Sequence, residues 1–230
     1  MRLERSWRRP LVVFGSLLAV GMTLGQQPAR ASVTFKYSDF SSDSTPASVL
    51  KAESTFTVSG SQLLISLVNL TTSPNTFKLD KLFFNTDTTL TGLSFVSAPS
   101  GWSITGSGTS QSKTATGFGN YNWVIDFGTT SQNISAGSTA SLTLNMTGTT
   151  TESTISNKLS TNPPGDTPTL SVVKFVAGPG GDSAYGATNQ SCGTGGNNNI
   201  VPEPSSLALL GLGGTLLSAL GLRRRRLVWA

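Results

Sequence analysis

The chain has 230 residues, of which 12% are charged, with one cysteine and no histidine. The absence of histidine excludes Ser-His-Asp and Cys-His nucleophile systems and the commonest metal ligand. The net charge of +5 does not indicate a nucleic-acid partner, because all nine arginines lie within residues 2–30 and 223–226. Residues 32–200 carry seven lysines against nine acidic residues, so they lack the basic surface that phosphate binding needs.

Residues 1–31 are predicted to be a secretory signal peptide. The basic leader "MRLERSWRRP" precedes the apolar run "LVVFGSLLAVGMTL", and Ala29 and Ala31 form a small-x-small cleavage site. A transmembrane anchor is the alternative, but the fourteen residues of the apolar run are short for a membrane span. Residues 32–200 are therefore expected outside the cytoplasm.

Residues 32–177 are predicted to form one all-β domain. Apolar and polar residues alternate in "SVTFKYSDF", "STFTVSG", "SQLLISLVNLT", "YNWVIDFG" and "ASLTLNMTG", and Gly, Pro, Asn and Ser clusters separate these runs. Serine and threonine make up 57 of the 169 residues from 32 to 200, which favours solvent-facing strand positions over long helices. We expect eight to ten strands in an antiparallel β-sandwich, of the jelly-roll or immunoglobulin-like type.

Residues 178–200, "GPGGDSAYGATNQSCGTGGNNNI", are rich in Gly and Asn and are predicted to be a flexible linker. Its Cys192 is the only cysteine and cannot close a disulfide within the chain. An idle thiol is the plainer interpretation, and an intermolecular crosslink is the alternative.

The C-terminal residues combine a Pro-Glu-Pro, an uncharged run and a cluster of arginines. Residues 205–222 would make a helix of about 27 Å, close to the roughly 30 Å of a hydrocarbon core. The prolines favour a helix start at Ser205, and the arginines stop transfer and stay in the cytoplasm by the positive-inside rule. A buried helix of a soluble domain is the alternative. The motif residues are Val201, Pro202, Glu203 and Pro204, and the stop-transfer residues are Arg223, Arg224, Arg225 and Arg226.

Residues 201–226 resemble the PEP-CTERM sorting signal of bacterial extracellular proteins. The resemblance implies that an exosortase, a membrane-embedded enzyme similar to cysteine transpeptidases, recognises the Pro-Glu-Pro and removes the tail. The body would then pass to the cell envelope or to the exopolysaccharide matrix. Leu227–Ala230, after the arginines, departs from the pattern and is expected to be cytoplasmic.

No catalytic, cofactor or metal site is predicted. The carboxylates that could in principle hydrolyse glycosides, Asp80, Asp87, Asp126, Glu152 and Asp166, are scattered in contexts typical of turns and strand exteriors. No EF-hand loop, phosphate-binding glycine loop or Cys-x-x-Cys motif is present in the sequence.

Three aromatic residues are candidates for glycan contact. Trp102, in a Gly/Ser/Pro context, is the best surface candidate. Tyr121 and Trp123 share one parity with Ile125 and Phe127, so a core strand explains them more simply.

Two main hypotheses follow from the sequence. The first is a non-catalytic exported surface or matrix protein, anchored in the membrane or released after processing and associated with exopolysaccharide. The second is a carbohydrate-binding module. An ice-binding face has weaker support, because Thr-x-Thr runs occur only in fragments ("TFTVS", "SLTLN"), and a carboxylate glycosidase is also less favoured.

Overall fold

The computed structural model describes residues 31–42, 44–164, 167–188 and 191–193. Within them lie fourteen strands and one α-helix. Their bounds are β1 Val33–Lys36, β2 Phe40–Ser41, β3 Ala52–Ser59, β4 Gln62–Asn69, β5 Lys78–Phe84, β6 Gly92–Ser97, β7 Ser103–Gly106, β8 Lys113–Ala115, β9 Gly119–Tyr121, β10 Trp123–Asp126, β11 Thr139–Thr147, α1 Glu152–Asn157, β12 Ser171–Val176, β13 Ala184–Thr188 and β14 Ser191–Gly193.

The strands form two six-stranded sheets and one small hairpin. The first sheet has the order β14-β1-β3-β4-β11-β6, the second β2-β13-β12-β5-β10-β7, and β8 pairs with β9. Every pairing between these strands is antiparallel. The all-β prediction is confirmed, and the jelly-roll or immunoglobulin-like type stays a prediction.

β1, β3, β4, β10 and β11 overlap the five alternating runs quoted from the sequence. β2, β8, β9, β13 and β14 are short strands, of two to five residues each, for which the sequence shows no comparable run of alternating residues. Tertiary pairing, rather than local pattern, therefore defines them.

Alternation decides which face of β3 and of β4 is buried. In β3 and β4 the side chains of Phe56, Ile65 and Leu67 are buried, and their neighbours along each strand are partly exposed. A two-residue turn at Gly60, with φ of +59°, joins the two strands and sets their register. One face of the first sheet thus points inward, and the other is open.

The inner faces of the two sheets share one core. Phe56 of the first sheet lies against Phe84 of the second, with ring centroids 5.2 Å apart, and Phe35 packs on Phe56 at 5.6 Å. Each such fully buried ring contributes about 1.5–3 kcal/mol to folding. The Tyr37 hydroxyl also links the sheets, since it lies 2.5 Å from Ser54 Oγ of β3 and 2.8 Å from Ser171 Oγ of β12.

Helix α1 closes one end of this core. Thr151 caps it by accepting a hydrogen bond from the Thr154 amide, and Ile155 is fully buried in the shared core. The Glu152 carboxylate accepts the Val58 amide of β3 at 2.8 Å. These contacts attach a helix of only six residues firmly to the first sheet.

The predicted flexible linker over residues 178–200 is wrong at residues 184–188 and 191–193, which form strands. β13 pairs with β12 over five residues, and β14 pairs with β1, placing Gly193 opposite Val33. Gly186 serves close packing rather than flexibility, because a Cβ there would lie 2.8 Å from the Phe175 ring. Residues 194–200 lie outside the described residues.

Both terminal segments with predicted membrane roles also lie outside. These are residues 1–30 of the signal peptide and the span 205–222. In the part of the chain that the structure describes, no helix has the length and apolar character to cross a membrane.

Candidate functional site

The predicted sorting residues, Val201–Pro204 and Arg223–Arg226, lie outside the described residues, as does Ala29. Ala31 is exposed and stands two residues before β1. Because Val33 and Gly193 are partners in adjacent strands, the start of the folded body and its last described strand lie side by side.

Trp102 is not a surface residue, which corrects the glycan-contact hypothesis for its ring. Its side chain is only 8% exposed and packs on Phe127, with ring centroids 4.4 Å apart. The indole Nε1 donates to the Gln132 carbonyl at 3.3 Å. Gly, Ser and Pro around Trp102 suggest an exposed loop, but the ring folds back into the shared core.

Trp123 is 2% exposed and belongs to the same core, as the core-strand interpretation predicts. Its Nε1 donates to the Thr86 hydroxyl at 2.8 Å, so the polar edge of the indole is satisfied internally. The ring offers no free face to a sugar.

Tyr121 is also buried, but on the opposite side of the second sheet. Tyr121 is the last residue of β9 in the β8–β9 hairpin, and it packs against Phe83 of the second sheet in a separate small apolar cluster. The sequence pattern predicts that Tyr121 and Trp123 lie on the same face of one strand. In the structure they belong to different strands, because Asn122 lies between the end of β9 and the start of β10. Burial raises the pKa of Tyr121 to about 12, although its hydrogen bonds to Thr169 and Ser160 oppose the rise.

The outer face of the second sheet carries two ion pairs. Lys174 Nζ lies 2.9 Å from Asp80 Oδ2, and Lys81 pairs with Asp126. Partial burial acts to raise the pKa of Asp126, but the Lys81 and Gly128 hydrogen bonds outweigh it and lower the pKa. A lowered pKa does not suit a general acid of glycoside hydrolysis, which must stay protonated near neutral pH.

Two of the other candidate carboxylates, Asp87 and Glu152, have local roles. Asp87 accepts the Thr89 amide at 3.1 Å, a hydrogen bond that lowers its pKa, and Glu152 holds helix α1. Asp166 lies outside the described residues. Among the side chains that the structure describes, no group of three His, Cys, Asp or Glu is placed to hold a metal ion.

The open face of the first sheet is the surface that sequence analysis missed. The two fragments "TFTVS" and "SLTLN" lie in β3 and β11, and both strands pair with β4, so their hydroxyl side chains share one face. The signal was present as alternate Thr and Ser, but the pairing that collects them is non-local. We call this surface the hydroxyl face and define it by Thr34, Thr55, Thr57, Ser66, Ser141 and Thr143.

The comparisons with known proteins concern the tail. A family model described as the PEP-CTERM protein-sorting motif matches residues 201–226. Neither a curated protein nor a solved structure matches the chain. The match covers the segment whose Pro-Glu-Pro, uncharged run and arginines resemble that signal, so the resemblance is confirmed: this chain carries a PEP-CTERM sorting motif, which supports an exported protein that an exosortase processes.

Proposed function

We propose that the protein is a non-catalytic surface or matrix protein, sorted through its tail and held outside the cell in exopolysaccharide. The observation that carries the proposal is the sorting motif at residues 201–226. The signal-peptide pattern at residues 1–31 supports it, because both ends then place the body on the outer side of the membrane.

The charges of the body support a non-catalytic role. The whole sequence lacks histidine, and Asp80 and Asp126, which the second sheet holds on one face, are each neutralised by a lysine. Carboxylates held in this way act as acceptors in ion pairs rather than as a matched acid and base.

Replacing both prolines of the motif tests the sorting role. In Pro202→Ala/Pro204→Ala the tail should remain attached, because the Pro-Glu-Pro that the exosortase is proposed to recognise is no longer present. The apolar run and the arginines are unchanged in this variant. Pro99→Ala/Pro179→Ala is the matched control, since both of these prolines are exposed in the body. The measurement is the mass of the protein recovered from each strain.

Loss of the tail from Pro202→Ala/Pro204→Ala at the rate of the parent protein would contradict the proposal. The matrix role has its own readout in the parent strain, where the processed protein should fractionate with the exopolysaccharide. Recovery of the processed protein only as a free species in the medium would contradict association with the matrix.

A further inference from the structure

We propose that the hydroxyl face of the first sheet is a binding surface for an uncharged polysaccharide chain. This inference rests on the proposed matrix function and adds the surface and the ligand class. It does not depend on the buried rings of Trp102, Tyr121 and Trp123.

The hydroxyl face contains a row of hydroxyl groups that crosses four neighbouring strands. Thr34, Thr55, Ser66 and Ser141 are successive Cα partners across β1, β3, β4 and β11. At about 4.8 Å between strands, the row is roughly 14 Å long. Thr34 Oγ1 and Thr55 Oγ1 lie 2.9 Å apart and bond to each other, so one of their two hydroxyl hydrogens is used within the row. Sugar hydroxyls along a chain of that length would still meet an acceptor oxygen at every strand.

A second row supplies apolar contact beside the first. Thr57 of β3 and Thr143 of β11 are both partners of Leu64 in β4, and Leu64 is partly exposed. The Leu64 side chain and the threonine methyl groups therefore lie between hydroxyls. This mixture fits sugar rings, which present C–H groups on their faces and hydroxyl groups on their edges.

The charged side chains near the hydroxyl face favour a neutral polysaccharide over an acidic one. On the strands of the hydroxyl face, the charged side chains are Lys36 and Glu53, which face each other at 3.8 Å at one corner. The two rows themselves contain no ionisable group. An acidic polymer would lose hydration there without finding a positive charge, whereas a neutral polymer meets no such penalty.

The opposite surface of the body is less suitable. The outer face of the second sheet is partly covered by the β8–β9 hairpin, which buries Phe83 and Val172. Its exposed part carries the Asp80–Lys174 and Lys81–Asp126 pairs, whose charges satisfy one another. The hydroxyl face is thus the more open sheet surface of the two, and its Lys36–Glu53 ion pair lies beside the two rows rather than within them.

The twist of the sheet favours a flexible chain over an ice lattice. Neighbouring strands rotate by about 20–25°, so the row across four strands turns by roughly 60–75°. A flat crystal plane cannot follow that turn, but a glycan chain can. Each exposed hydroxyl replaces a hydrogen bond to water with one to sugar, so its net contribution to the binding free energy is small. We therefore expect a single domain to bind weakly, and many copies bound to one polymer to bind more tightly.

Paired lysine substitutions test the assignment in the full exported protein. Ser141→Lys/Thr143→Lys places two long charged side chains on the hydroxyl face at alternate positions of β11. Ser103→Lys/Thr105→Lys makes the same changes at alternate positions of β7 in the other sheet. Migration of the native protein is measured in gels that contain dextran, hydroxyethyl cellulose or the neutral polysaccharide fraction of the producing cells.

The parent protein and Ser103→Lys/Thr105→Lys should both be retarded by at least one neutral polymer. The retardation of Ser141→Lys/Thr143→Lys by that polymer should be at least fivefold smaller than that of the parent protein. Equal retardation of both variants, with their folds intact, would overturn the hydroxyl face as the site and leave the proposed function standing. Retardation only by polygalacturonate would overturn the neutral ligand. Inhibition of ice recrystallisation without retardation by any polysaccharide would overturn the glycan as the occupant.

If Ser141→Lys/Thr143→Lys does not fold, the same gel measurement is made with Ser141→Asn/Thr143→Asn. This variant retains hydrogen-bonding groups but changes their reach, so retardation should fall while exposed strand positions stay polar. Failure of the parent protein to enter the exopolysaccharide fraction of cells would instead count against the proposed function itself.

Discussion

At the scale of single residues, the hydroxyl of Tyr37 joins the two sheets. It contacts Ser54 of β3 and Ser171 of β12, and Ser171 in turn donates to the Phe83 carbonyl at 2.7 Å. All three side chains are buried, so water cannot replace a missing partner. The sequence places Tyr37 correctly in an alternating run but does not reveal this bridge, because its partners lie 17 and 134 residues away.

Removing this hydroxyl should destabilise the fold. Tyr37→Phe leaves the Ser54 hydroxyl without its partner, and we expect the free energy of unfolding to fall by about 1–3 kcal/mol. Urea unfolding of the purified protein measures the change. Tyr185→Phe, at a partly exposed tyrosine, is the matched control and should have a smaller effect. Equal losses in the two variants would contradict the bridging role.

The buried tyrosines also predict a loss of stability at high pH. Burial raises the pKa of Tyr121 from 10.0 to about 12, and burial likewise raises the pKa of Tyr37. A raised pKa stabilises the fold fully below pH 10.0, and this contribution is lost as pH rises from 10.0 through the folded pKa. The free energy of unfolding should therefore fall above pH 10.0.

Tyr121→Phe isolates one of these two groups. Relative to the parent protein, the variant should show a shallower decline in the urea midpoint above pH 10.0, because one titrating group is removed. Comparison with Tyr185→Phe controls for the loss of a phenol as such. Parallel declines in the parent protein and Tyr121→Phe would show that Tyr121 does not titrate with unfolding.

At the scale of elements, the pairing of β14 with β1 is the finding that differs most from the sequence. Gly and Asn around Cys192 predict a coil, but the open edge of β1 offers unpaired backbone groups that a strand can satisfy. The composition of a segment indicates its conformation in isolation. It does not indicate that the segment will form a strand by hydrogen bonding to the edge of a neighbouring sheet. The pairing also brings the first strand of the body next to its last described strand.

A single cysteine substitution tests this pairing. Thr34 and Cys192 are Cα partners in adjacent antiparallel strands, where facing Cβ atoms lie about 4.5–5.5 Å apart. Thr34→Cys should form an intramolecular disulfide with Cys192 under mild oxidation, since a disulfide needs only a small further approach. Thr57→Cys, whose partner is Leu64, is the matched control. Intact mass and free-thiol counting measure the outcome.

The disulfide should appear in monomers of Thr34→Cys and not in those of Thr57→Cys. If the monomer of Thr34→Cys keeps both thiols under oxidation that crosslinks separate molecules, β14 does not pair with β1. The hydroxyl row would remain, because Thr34 pairs with Thr55 on its other side.

At the scale of the whole molecule, the sequence predicted features that depend on neighbouring residues. It did not predict features that form only when distant strands come together. Alternation in the long strands gave the all-β class, and the tail motif was recognisable because all its features lie within 26 residues. The burial of Trp102 was missed, because its loop reads as exposed until Phe127 is brought against it by β10. The hydroxyl face was missed because Thr34, Ser66 and Ser141 meet only through the order of the strands.

Export and removal of the tail both change the mass of the protein, so we would measure the intact mass and the C-terminal peptide of the protein recovered from the native cell envelope or medium. We predict a species that begins at Ser32 and ends within or near Val201–Pro204, with any excess mass marking a group attached after cleavage. A mature species that still carries residues 205–230 would show that the tail is a permanent anchor, and it would contradict processing by an exosortase.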